Sequence, residues 1–244
     1  MNREVDFFTR EICNRDPDAA ILIVGSSLEK EADKLKDLDL LLLSNRDKLP
    51  EALKEIDGYN DEIDGSLRFF SNGIEVGILP LTSAQLRNRV SSILEGAIDL
   101  IYKPWAIGAE CPEGFLGDIA AGEIVIDTAE QELDSLKRQV APYPDELRNQ
   151  ITSHCKKELL MRISQLEKAS KRGDLNSVLI LKGQILFLIL RLTYSQQKQY
   201  FQGTKSLKYH QNIQILLQNA LQLIQNIESK EVERLCTYLK TEFL

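Results

Sequence analysis

Short apolar runs punctuate the first half of the chain at Ala19 to Val24, Leu38 to Leu43, Leu67 to Phe70, Ile74 to Leu79 and Glu123 to Ile126, with helix-forming stretches between them. Runs of this length, bounded by turn-forming residues, read as β-strands. Leu40 to Leu43 is apolar at every position, as expected of a central strand covered on both faces. Between Phe70 and Ile74, Ser71-Asn72-Gly73 carries the Asn-Gly signature of a hairpin turn, so residues 66 to 70 and 74 to 79 should pair antiparallel within a mixed sheet.

After residue 128 the period changes. Pro144 is placed to open a helix in which Leu147, Ile151, Cys155, Leu159 and Ile163 recur every fourth residue; Gly173 ends it and Asp174 caps the next one. At least four helices are expected beyond residue 128, with apolar stripes that suit a bundle. The pattern therefore predicts an α+β chain: a domain over 1–128 built on a mixed sheet flanked by helices, then a helical bundle over 129–244. A chain of 244 residues is long enough for two cores of this kind.

Composition removes several function classes. The hydrophobic share of 43% and charged share of 27% are those of a globular protein. The N-terminal segment lacks the continuous apolar core of a secretory signal, so a cytoplasmic location is expected. Val178 to Leu192, the most apolar stretch, contains Lys182 and Gln184 and is too short to span a bilayer, which points to a buried helix. The four cysteines, Cys13, Cys111, Cys155 and Cys236, form no CxxC pair and read as reduced thiols; His154 and His210 have no nearby second ligand. Zinc sites and Ser-His-Asp catalysis are thereby disfavoured.

The net charge of −7 hides an asymmetry: residues 1–127 hold 13 Lys and Arg against 25 Asp and Glu, or −12, and residues 128–244 hold 17 against 12, or +5. Duplex nucleic acid is not an expected partner of such a chain, because its binding needs clustered cations to replace counterions. An acidic half suits a cationic acceptor and a basic half a polyphosphate, although two ordinary solvated faces would give the same totals.

Three segments carry candidate chemistry. In Ile21-Leu22-Ile23-Val24-Gly25-Ser26-Ser27 a strand runs into a small-residue turn; Gly25 allows close backbone approach, and Ser26 and Ser27 supply hydroxyls to a phosphate. In Asp37-Leu38-Asp39 the alternation of a strand puts both carboxylates on one face, a hard-cation site for Mg²⁺. Glu75 interrupts the apolar strand Ile74-Glu75-Val76-Gly77-Ile78-Leu79; it shares a face with Gly77 and Leu79, and either faces solvent or meets the aspartate pair across the sheet.

Taken together, these elements resemble the polymerase β-like nucleotidyltransferase superfamily, whose signature is a Gly-Ser turn, an Asp-x-Asp about a dozen residues on, and a third acid on a later strand. Ser26 to Asp37 is 37 − 26 = 11 residues and Asp39 to Glu75 is 75 − 39 = 36. Ile74-Glu75-Val76 looks most like the aminoglycoside adenylyltransferase branch, associated with antibiotic resistance, in which a glutamate takes the third place and can act as base. The resemblance implies a polymerase β-like catalytic domain, Mg²⁺ held by Asp37, Asp39 and Glu75, and ATP or another NTP bound at Gly25, Ser26 and Ser27. It also implies a small-molecule hydroxyl acceptor. Tyr200-Phe201-Gln202-Gly203-Thr204-Lys205 is similar to a segment of related helical domains that brings a lysine to the nucleotide, which implicates Lys205. The sequence departs from the pattern between the turn and the aspartates, where Glu29 to Lys36 is a charged, helix-prone run. Transfer to a protein or tRNA, and a non-catalytic nucleotide- or partner-binding role, stay open beside the small-molecule reading.

Overall fold

A computed structural model describes residues 3–25, 37–63, 65–96, 111–128 and 130–201, together with Thr237 and Thr241. The chain divides into two compact units, Met1–Pro142 and Tyr143–Leu244.

The first unit opens with α1 (Arg3–Arg15), whose Val5, Phe8 and Ile12 recur at helical spacing and are buried. Strands β1 (Ala20–Val24) and β2 (Asp37–Leu43) follow, then the short α2 (Leu49–Leu53). Next come β3 (Tyr59–Ile63), β4 (Ser66–Ser71) and β5 (Ile74–Leu81), followed by α3 (Ser83–Leu94) and α4 (Pro112–Ala121); β6 (Glu123–Ile126) and α5 (Glu132–Val140) complete the unit. The six strands form one sheet in the order β3-β4-β5-β2-β1-β6. β2 and β5 are parallel and every other neighbouring pair is antiparallel, so the sheet is mixed, as the hairpin implied. At that hairpin Asn72 and Gly73 both take positive φ, 50° and 82°, the left-handed pair that lets a two-residue turn follow the twist of its strands.

The two faces of the sheet differ. Alternate residues Leu38, Leu40 and Leu42 of β2 join Val76 and Ile78 of β5, Ile21 and Ile23 of β1, and Leu67 and Phe69 of β4 in a core closed by Phe8 and Ile12 of α1 and Leu49 and Leu53 of α2. The opposite residues of β2 begin with Asp37 and Asp39, and α4 packs against β1. Packing on both sides explains why Leu40 to Leu43 is apolar throughout: all four are buried.

The compact unit extends beyond the boundary expected at residue 128, and hydrogen bonds explain why. The Asp127 carboxylate accepts the backbone N–H groups of Leu133 and Asp134 at 3.0 and 2.9 Å, capping α5 from the end of β6. Lys137 donates to the Gly122 carbonyl, and Glu132 receives the Ser83 hydroxyl at 2.7 Å and pairs with Arg87 at 3.1 Å. These contacts tie α5 to β6, α4 and α3. Asp127→Ala is expected to destabilise the protein by about 1–2 kcal/mol, measured as a lower denaturant midpoint with an unchanged m-value.

The second unit contains the long antiparallel pair α6 (Asp145–Lys171) and α7 (Leu175–Gln196). Leu147, Ile151, Cys155, Leu159 and Ile163 are all fully buried, as their spacing required. Gly173, at φ 69°, reverses the chain, and Asp174 accepts the Ser177 N–H at 3.1 Å to cap α7. Three helices follow residue 128 among the described residues, and the fourth that was expected falls outside them. α7 has 22 residues, so by length and composition it could cross a membrane; Val178 to Leu192 is only its central part. Half of its most apolar window is buried within the protein, as in a core helix. Cys13, Cys111 and Cys155 form no disulfide, and the last two are buried.

Candidate active site

β2 and its neighbours assemble the site. Asp37 and Asp39 stand two apart on β2, so they share a face while Leu38 between them is buried in the core. In the parallel pairing Asp37 lies beside Glu75 of β5 and Asp39 beside Gly77. On its other flank Asp39 pairs with Val24, the last residue of β1. The chain then turns at Gly25 with φ 68°, so close to the second aspartate that a β-carbon there would stand 2.9 Å from Asp39 Oδ2. Gly25, which opens the expected phosphate turn, thus stands next to one expected metal ligand.

Both features make Gly25 hard to replace. An L-residue there would adopt a left-handed backbone and push against the carboxylate. Gly25→Ala should cost about 1–2 kcal/mol in stability, read by denaturant unfolding, and should weaken nucleotide binding by moving the turn.

Glu75 shares the sheet face of the aspartates by register but is drawn the other way. It is half exposed, at 54%, and its Oε1 accepts a hydrogen bond from Arg68 Nη1 of β4 at 3.0 Å. The ion pair turns the carboxylate toward β4, and among the described residues no group of three or more His, Cys, Asp or Glu side chains is gathered tightly enough to hold a metal ion. β2 places Asp37 and Asp39 on one face, and the register sets Glu75 beside Asp37. Ser26, Ser27 and Lys205 lie outside the described residues, as does the charged run 29–36.

One acid at this corner was not anticipated. Asp118, near the end of α4, is 6% exposed, and its carboxyl accepts the Gly25 N–H. Burial first, and then the charge of Asp39, push its pKa up to about 8, with the Gly25 hydrogen bond acting in the opposite direction. The available clue was an aspartate inside the apolar run Phe115-Leu116-Gly117-Asp118-Ile119. Nothing in the sequence linked it to a turn 118 − 25 = 93 residues earlier.

Comparison with known families decides what this corner belongs to. Residues 7–99 match the nucleotidyltransferase domain model, an interval that contains Gly25, Asp37, Asp39 and Glu75. The chain carries a nucleotidyltransferase domain. A second model, a domain of unknown function (DUF4037), matches residues 109–205, so the segment that includes Asp118 continues from the nucleotidyltransferase unit into the helical one. Among solved structures, a nucleotidyltransferase-like protein from Exiguobacterium sibiricum is similar in fold, with a TM-score of 0.51 and 16% identity over 96% of this chain and 75% of that one. No curated protein matches the sequence. These findings support the polymerase β-like superfamily and an α+β nucleotidyltransferase with a helical C-terminal region.

Nucleotidyltransferase domains use an NTP and typically a divalent metal, and the donor set on β2 fits such an ion. Mg²⁺ takes one or two protein carboxylates and completes its shell with water and substrate phosphate. Asp37 and Asp39 supply that pair, and the space a β-carbon would fill at Gly25 lies directly beside Asp39 Oδ2.

Proposed function

We propose that this protein is a Mg²⁺-dependent nucleotidyltransferase that moves a nucleoside monophosphate, AMP from ATP in the first instance, onto a hydroxyl of a small cationic acceptor of the aminoglycoside kind. The observation that carries this reading is the Asp37 and Asp39 pair on one strand face with the Gly25 turn packed against Asp39.

In the proposed reaction an acceptor hydroxyl oxygen bonds to the α-phosphorus as the bond to the pyrophosphate oxygen breaks. Asp37 and Asp39 would hold Mg²⁺, which when bound neutralises phosphate charge. The Gly25 backbone, with Ser26 and Ser27, orients the β- and γ-phosphates. Glu75 takes the acceptor proton once its carboxylate leaves Arg68 for the incoming hydroxyl. The −12 charge over residues 1–127 favours an acceptor bearing ammonium groups.

The test is pyrophosphate release by the full chain with Mg²⁺, each of the four NTPs and a panel of aminoglycosides. Release that depends on both ATP and an aminoglycoside is expected. No release with any NTP and acceptor would defeat the proposal, and transfer of labelled AMP to the protein itself or to tRNA would replace the acceptor class.

A further inference from the structure

The segment matched to a domain of unknown function contributes a support to the nucleotide site. We propose that Asp118 is a positioning residue, whose carboxyl holds the Gly25 N–H and thereby sets where the phosphate turn stands above Asp39. The inference rests on the reading of that turn as the NTP site.

Its basis is a continuous set of contacts. At the end of α4 the Asp118 carbonyl accepts the Gly122 N–H at 2.8 Å, and Lys137 of α5 donates to the Gly122 carbonyl. Gly122 is pressed so tightly on β1 that a β-carbon there would meet Leu22 Cγ at 2.7 Å. The last turn of α4 therefore has little freedom to slide along β1. From this fixed base the Asp118 side chain, almost wholly buried, reaches the Gly25 amide. Gly25 in turn lies so near Asp39 that a β-carbon there would stand 2.9 Å from Asp39 Oδ2.

A left-handed glycine is conformationally permissive, so without an external hold the turn would sample several arrangements. A buried acceptor selects one of them, and it also satisfies an amide that would otherwise be left unmade at the end of a buried strand. Asp118 touches neither substrate nor metal in this scheme, and its effect passes through Gly25.

The function needs an acceptor atom at this position rather than a charge, which separates two variants. Asp118→Asn keeps an oxygen of the same reach. Asp118→Leu keeps the branched shape and removes the acceptor. Binding of Mg²⁺ with an ATP analogue bridged by a methylene between the α- and β-phosphates, KM and kcat for ATP, melting temperature, and hydrogen exchange of the Gly25 amide are to be compared in the full chain. Asp118→Asn should stay within about threefold of the parent in affinity and keep the Gly25 amide protected, while Asp118→Leu loses that protection and binds about tenfold more weakly. KM for ATP should rise in step with the weaker binding, with kcat little altered and melting only slightly earlier.

A folded Asp118→Leu protein with parental affinity overturns the inference, and so does an Asp118→Asn protein as impaired as the leucine variant. If Asp118→Leu does not fold, Asp118→Asn decides alone: retained affinity and amide protection support the role, and loss of either refutes it. A parent that fails to bind the analogue removes the nucleotide reading and this inference with it, while protection of its Gly25 amide still reports whether the hydrogen bond exists.

Discussion

Replacing Asp37 and Asp39 together by asparagine should abolish nucleotidyl transfer, with pyrophosphate release down by roughly a thousandfold or more, while the protein stays folded. The size follows from the charge removed. A divalent ion at the reacting phosphate is worth several kcal/mol of transition-state stabilisation, and about 4 kcal/mol corresponds to roughly three orders of magnitude in rate. Asparagine keeps nearly the same shape but offers a neutral oxygen to the ion, so the site loses most of its affinity for Mg²⁺. Folding should survive because both aspartates are only half buried, whereas Leu38, Leu40 and Leu42, on the opposite face, carry the core. Removing two like charges from one strand face also relieves repulsion.

Thermal unfolding gives the same prediction a readout independent of turnover. A ligand that binds only the folded state raises its stability by mass action, so Mg²⁺ with ATP should raise the melting temperature of the parent. The magnesium-dependent part of that rise should vanish in the double variant. Activity retained in a folded Asp37→Asn/Asp39→Asn protein would remove β2 from the chemistry.

Why the aspartates could be read from the sequence and other parts of the site could not is a matter of range. The face shared by Asp37 and Asp39 follows from strand alternation alone, a period of two that needs no knowledge of neighbours. The Asn72-Gly73 turn is equally local, as the positive φ values of both residues bear out. The parallel pairing of β2 with β5 is not local. It depends on a crossover through α2, β3 and β4, and it is this register that puts Glu75 beside Asp37. β3 was missed because Tyr-Asn-Asp-Glu-Ile lies at the edge of the sheet, where three of five side chains are exposed and no alternation is imposed by a core. Asp118 gains its meaning only from tertiary contact with Gly25, and α5 joins the first unit through hydrogen bonds from Asp127 and Glu132 that a helical period cannot encode.

The ion pair between Arg68 and Glu75 makes the assigned base a sharp point of test. Glu75→Gln should lower kcat by about 10²–10⁴-fold, the range for loss of a positioned general base, with KM for ATP nearly unchanged because Glu75 acts on the acceptor rather than the triphosphate. Stability should change little, since an ion pair with both side chains about half exposed contributes at most a small increment. Arg68→Ala separates this role from mere upkeep of the pair: it breaks the same contact from the other side yet leaves the carboxylate in place. Its kcat should remain within about tenfold of the parent if Glu75 itself does the chemistry. Equal, large losses in Glu75→Gln and Arg68→Ala would mean that the pair orders β4 against β5 and that the proton leaves by another route. A Glu75→Gln protein with full activity would remove Glu75 from the transfer step.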